Sequence, residues 1–136
     1  MPAFNKFDSF VEAVAEKLHD LGADQLTIAL SNTAPSAANT QLSNITQITY
    51  TNLSTRNITR TSSSQTGGLY KLVIADTTLT STGGSTGPFR YVVIYNDTST
   101  NDLLVGWYDY GSSLTLNSGE SLLVDFDQTN GLLTIQ

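Results

Sequence analysis

The side chains able to do chemistry are few. His19 is the single histidine among 136 residues and cysteine is absent, so a nucleophile with its base would have to be a Ser/His/Asp site assembled around one imidazole from distant parts of the chain. The same count leaves no set of imidazole or thiolate ligands for a metal ion, and only carboxylate sites remain. Asp125 and Asp127 stand two apart on a predicted strand, on the face opposite Val124 and Phe126. That pairing suits a calcium site or a glycosidase pair. It is equally the solvent face of a half-buried antiparallel strand, and no EF-hand spacing accompanies it. Asp109 belongs beside this pair, on a predicted face shared with Trp107. The run Thr82 to Gly87 is glycine-rich but lacks the lysine and the following helix that phosphate cradling requires, and reads as a loop before Pro88. His19 itself reads as a surface residue suited to a helix C-terminus. These residues predict no catalytic site, no metal and no cofactor.

Trp107, Tyr108 and Tyr110 form an aromatic cluster. Flat rings can stack sugars, which keeps a carbohydrate-binding module among the readings; in the plainer one they fill a sandwich core or a subunit interface. Phe89, Tyr91, Val93 and Tyr95 face one way along a predicted strand and Val92 and Ile94 the other, so both sides of it need cover, which hints at assembly. Arg56 and Arg60 flank Ile58 on a weaker strand, where they could meet an acidic partner or simply solvent.

Two kinds of element must position these groups. Seven of the eighteen charged side chains fall in the first 24 residues. Phe7, Phe10, Val11, Val14, Leu18 and Leu21 recur there at helical steps, predicting one amphipathic α-helix over Ser9 to Leu21. Asp8 or a Ser9–Glu12 capping box would start it, and Gly22 is placed to end it in the left-handed conformation. Beyond Ala23 come short runs rich in Thr, Ile, Val, Leu and Tyr between Asn, Gly, Ser and Asp clusters, which read as strands joined by turns. Leu26 to Leu30, Leu69 to Asp76, Phe89 to Asn96 and Leu103 to Tyr110 are clear, the last two joined by a polar tip, Asp97 to Asp102. Ile45 to Tyr50 and Arg56 to Thr61 are weaker, Thr61 to Gly68 reads as a mobile loop, and Ser113 to Leu116, Leu122 to Asp127 and Leu132 to Ile135 close the chain. Regular strands without intervening helices predict a mainly β fold: an antiparallel, jelly-roll-like β-sandwich over residues 24–136, with the helix of residues 1–23 packed on it as part of one domain.

Composition narrows the partners. Twelve acidic residues against six basic give a net charge of -6 and a pI near 4.3, the wrong sign for gripping a phosphate backbone. No apolar run approaches the roughly 20 residues of a membrane span. Acidic residues interrupt the N-terminal stretch where a secretory signal would need an apolar block, so the sequons at Asn44, Asn52, Asn57 and Asn96 carry no expectation of glycosylation. No nucleic-acid partner, no membrane and no secretion are expected.

Four stretches taken together resemble a family of small structural proteins of tailed bacteriophages: Phe4-Asn5-Lys6-Phe7 with Phe10-Val11-Glu12, Leu30 to Pro35, Gly87 to Tyr91 continuing to Asp97, and Gly106 to Gly111. The resemblance runs from Phe4 to Ile135. Within that family the chain is similar to capsid decoration, or cement, proteins. The resemblance implies a homo-oligomer, commonly a trimer, made in the host cytoplasm and seated on the virion's capsid surface, where it bridges subunits of the major capsid protein without catalysing a reaction. A tail, baseplate or fibre component shares the same composition and β-rich build. The candidate contact residues are Phe4, Phe7 and Phe10 near the helix start, Arg56 and Arg60, and Tyr91, Tyr95, Trp107 and Tyr108 in the sheet.

Overall fold

The computed structural model describes residues 2–136. The elements run β1 (Asn5–Lys6), α1 (Asp8–Ala15), β2 (Leu26–Ser31), β3 (Arg60–Thr66), β4 (Leu69–Ile74), β5 (Thr77–Thr80), β6 (Thr86–Asn96), β7 (Leu104–Leu116), β8 (Ser121–Val124) and β9 (Leu133–Ile135), with a 3-10 turn at Leu42–Asn44. Every strand pairing is antiparallel. The order β1-β7-β6-β2 forms the main sheet, and β3-β4-β9 and β5-β8 form two smaller ones. The protein is therefore mainly β and sandwich-like with one helix. Its sheets have four, three and two strands.

The main sheet is apolar on both faces because its central strands carry hydrophobic residues at successive positions. Ile28, Leu30, Val92, Ile94 and Tyr108 turn inward, meeting Leu72, Ile74, Leu79, Val124, Phe126 and Leu132 of the smaller sheets and their loops. Ala29, Val93, Tyr95 and Leu104 turn the other way, under Phe7, Ile45, Leu42 and Trp107. The double-sided pattern thus has an intramolecular answer: the segment between β2 and β3, with Phe7, covers the outer face. Two irregularities set the alternation. Ile94 pairs with Gly106 and Tyr95 with Leu104, so Val105 is an extra residue, and the bulge resets the alternation of β7: Val105 and Tyr108, three apart, both enter the inner core, and Leu104 and Trp107 both face the outer one. A second register shift, between Phe89 and Tyr91, sends Phe89 into the inner core rather than onto the predicted face of Tyr91.

The free edge of β2 is sealed without a regular strand. Ile58 N donates to Leu26 O, Ile28 N to Arg56 O and Ile48 N to Leu30 O. Between these, the Arg56 guanidinium donates to Ile28 O, and the Tyr50 hydroxyl accepts from Leu30 N at 2.9 Å. Arg56 also lies 3.7 Å above the Tyr50 ring. The predicted strand over 45–50 and residues 56–59 of that over 56–61 are replaced by this irregular cover with single bridges at Gln47 and Asn57, while Arg60 and Thr61 open β3. Side chains here do the hydrogen bonding that a strand backbone would do, and the edge is closed to pairing with another chain.

Three other expectations change. The predicted loop Thr61 to Gly68 is mostly strand β3, turning at Gly67 and Gly68, both with positive φ. Ser113 to Leu116 is the end of β7. The last predicted strand pair is shorter, and β8 stops at Val124.

The N-terminal arm is admitted by one glycine. Asn5 pairs with Trp107 and Lys6 with Gly106, while the Phe4 ring packs 5.5 Å from that of Tyr108. A Cβ on Gly106 would overlap the Phe4 ring and lie 2.7 Å from Asn5 O. Gly106→Ala is expected to lower stability by about 1–3 kcal/mol, as overpacking does, and to expose the arm to proteolysis. Denaturant unfolding with limited proteolysis checks this, and adding Phe4→Ala should recover part of the loss.

Candidate functional site

The end of the molecule where α1, the α1–β2 turn and the β6–β7 hairpin tip converge holds the most unusual chemistry. It begins with how α1 stops. Phe7 is the N-cap with no side-chain cap bond, so neither Asp8 nor a Ser9–Glu12 box starts the helix. Glu16 is the C-cap and Lys17 adopts φ 67. Leu18 N donates to Ala13 O at 2.9 Å and Lys17 N to Val14 O at 3.2 Å. This is a Schellman ending with lysine where glycine is favoured. The helix thus ends at Ala15, six residues short of Leu21, and Gly22 serves instead in a turn where Asp20 Oδ1 accepts its N–H at 3.1 Å. Because the helix is short, its buried stripe is Phe10 and Ala13. Val11 is 55 % exposed and Leu18, just beyond the left-handed residue, 51 %. An aliphatic side chain left in water forgoes burial worth about 2 kcal/mol.

His19 follows, and it is buried, 7 % exposed, rather than on the surface. Its ring lies 5.1 Å from that of Phe10. The fully buried Asn96 donates from Nδ2 to His19 Nδ1 at 2.9 Å and to Asp24 Oδ2 at 2.7 Å. Asn96 Oδ1 accepts from Thr98 N and Ser99 N. Every hydrogen-bonding position of this amide is therefore fixed. His19 Nδ1 must accept, which puts the proton of the neutral ring on Nε2, and that atom is buried without a partner. A proton on Nδ1 would point at the Asn96 amide donors. Burial lowers the His19 pKa below its ordinary value, with Asp24 opposing the shift.

Around this cluster lie two adjoining hollows. One, of about 500 Å³, is lined by Lys17, Leu18, Asp20, Asp24, the tip residues Thr98 to Asn101, and Leu103. The other, of about 260 Å³, is lined by Ser9, Glu12, Ala13, Glu16, Leu18, Thr40, Leu103 and Leu104. Leu18 and Leu103 line both, so the hollows adjoin along these side chains and together make up a trough. Two of the three non-glycine residues with positive φ, Lys17 and Asn101, line it, and the third, Asp102, follows Asn101 in the chain. Burial and the neighbouring Asp97 raise the Asp102 pKa.

Most of the expected contact residues belong to the protomer's own interior. Phe7, Phe10, Tyr91, Tyr95 and Tyr108 are buried; Phe4 and Trp107 are half-buried, Trp107 stacked 4.6 Å from Phe7. Burial also pushes the Tyr108 hydroxyl far above its ordinary pKa. A two-ring sugar platform of Trp107 and Tyr108 is thus not present, since Tyr108 is enclosed by Phe4 and Phe126. Arg56 seals the β2 edge as described, and exposed Arg60 donates to Asp24 O at 3.3 Å. The Asp125–Asp127 alternation against Val124 and Phe126 holds in exposure, but beyond the end of β8. Asp127 accepts from Thr129 N and Asn130 N in its own turn, and these bonds, Asn130's first, lower its pKa. Asp109 forms a two-bonded pair with Arg90, at 2.7 and 3.0 Å, which holds its carboxyl below the ordinary range.

Asn96, Asp24, Leu18 and Leu103 were not among the expected site residues. Asn96 lies 77 residues from His19, and no spacing rule links them; the polar hairpin tip was the nearest signal. Among the described residues no helix is long and apolar enough to cross a membrane, and no group of three or more His, Asp or Glu side chains could hold a metal ion. No family model matches the chain, and no curated protein or solved structure matches it either. What fold and site define is a class: a small antiparallel, sandwich-like β-protein with an acidic, apolar-floored trough at one end.

Two outcomes follow from this geometry. Lys17→Gly relieves the left-handed strain and is expected to raise stability by about 1 kcal/mol, with Lys17→Ala giving no such gain in denaturant unfolding. For His19 the folded-state pKa lies below 6.5, so the unfolded chain binds the proton first as pH falls. Stability should therefore drop as pH is lowered through about 6.5, by at most about 1.4 kcal/mol per pH unit. Urea midpoints from about pH 7.5 to 5.5 should decline in the wild type and decline less in His19→Gln.

Proposed function

We propose that the chain is a non-enzymatic structural protein of a bacteriophage virion, a capsid decoration protein that binds the shell surface and bridges neighbouring subunits of the major capsid protein. The observation that carries the reading is where its polar chemistry goes. His19, Asp24, Arg56, Arg90, Asp109 and Asp127 are each bonded inside the protomer, whereas the large apolar side chains left in solvent are Val11, Leu18, Leu69, Leu123 and Ile135. A surface whose reactive groups are internally engaged and whose remaining features are aliphatic and acidic suits protein contact rather than turnover. The resemblance from Phe4 to Ile135 supplies the setting. In that setting binding is mechanical: area buried across subunit boundaries stabilises the assembled shell by mass action.

Cryo-electron microscopy of intact particles, with mass spectrometry for copy number, tests the proposal. Density for this chain repeated over the shell at capsomer junctions is the expected outcome, and particles stripped of it should rupture at lower temperature. Density confined to the tail would reassign the chain to a tail, baseplate or fibre component, and its absence from particles would overturn a virion role altogether.

A further inference from the structure

We propose that the trough between α1 and the β6–β7 tip is the docking site for a basic segment of a protein partner, one that inserts an apolar side chain between flanking lysines or arginines. Three observations converge on it. The floor is apolar and partly open: Leu18 is half-exposed, and Leu103 and Ala13 continue it. The walls are acidic, with Glu12 and Glu16 on the helix side and Asp20 and Asp24 on the turn side against the single lining cation Lys17. Asp24 is already bonded to Asn96, but the structure gives Glu12 and Glu16 no side-chain partner, and the ion pair formed among the described residues, Arg90–Asp109, lies elsewhere.

The backbone supplies the third observation. Lys17 holds a left-handed conformation that its side chain disfavours, and the half-exposed Leu18 follows it directly. Unfavourable backbone geometry gathers at binding sites because the surrounding structure must impose it. Here His19, two residues on, is held by Asn96, which also binds Asp24. Charge complementarity then chooses the occupant. An acidic segment or an anionic lipid surface would be repelled by the four wall carboxylates, while a basic segment would neutralise them around a leucine-sized contact.

That this partner is a capsid subunit rests on the function proposed above; the chemistry of the trough does not. The test uses the full chain, isotope-labelled, titrated by NMR with short capped peptides of alternating arginine and leucine, of alternating arginine and serine, and of alternating glutamate and leucine. The arginine–leucine peptide is expected to shift Ala13, Glu16, Leu18 and Leu103 selectively and to bind more weakly at high salt. Glu12→Lys with Glu16→Lys should weaken it about tenfold, and Leu18→Ser should reduce its advantage over the arginine–serine peptide. Equal shifts from both arginine peptides, shifts spread over the surface, or no shifts overturn the proposal. Broadening of the same residues with protein concentration alone would assign the trough to a second copy and also overturn it. Particles separate the two readings. Wild type absent from particles removes the capsid function and leaves the peptide result standing, whereas wild type and Leu18→Ser bound in equal copy number removes the trough as the capsid contact.

Discussion

A four-stranded sheet with hydrophobic residues on both faces and an open edge cannot exist alone in water, and the rest of this structure is organised around covering it. Ile28, Leu30, Val92 and Ile94 need one layer, and Ala29, Val93, Tyr95 and Leu104 another. The first comes from the two smaller sheets. The second comes from an irregular stretch between β2 and β3 that brings Ile45 and Leu42 over the outer face beside Phe7. Buried backbone groups left without partners would carry a desolvation penalty, which explains why the same stretch also places Arg56 and Tyr50 against the β2 edge.

This self-covering changes what a double-sided strand means. Hydrophobic residues on both faces of β6 suggested an assembly interface, yet a single protomer satisfies both. The apolar side chains left in solvent lie instead at the periphery, Leu18 among them just beyond the strained turn that ends the short helix. There the physical tension is different. Asn96 ties the β6 end to the α1–β2 turn through His19 and Asp24, so a buried polar network sits one residue from the exposed Leu18.

The legible part of the fold followed from periodicity. β2, β4, β6 and β7 were evident because alternating or continuous runs of Val, Ile, Leu and Tyr have few other uses in a chain with little helix. The helix start near Asp8 was visible for the same reason, since Phe7 and Phe10 keep helical spacing. The helix end was not. Val11, Val14, Leu18 and Leu21 continue a plausible stripe, and Gly22 is a plausible stop, but the helix ends first at the left-handed Lys17, and His19 beyond it lies buried against Phe10 and bonded to Asn96, 77 residues away. β3 was missed because Ser, Thr and Gln on a half-exposed edge strand read as loop, and its strand character comes from pairing with β4.

By itself the sequence determined the class: a β-rich, acidic, cysteine-free chain with one N-terminal helix and one histidine. These properties belong to residue types and short-range spacing, which act whatever the neighbours are. The tertiary structure alone decided which aromatics are core, that Arg56 seals an edge, that Arg90 holds Asp109, and that His19, Asp24 and Asn96 meet. Those outcomes depend on contacts between residues tens of positions apart and on bulges such as that at Val105, where one extra residue reverses the face of every side chain beyond it.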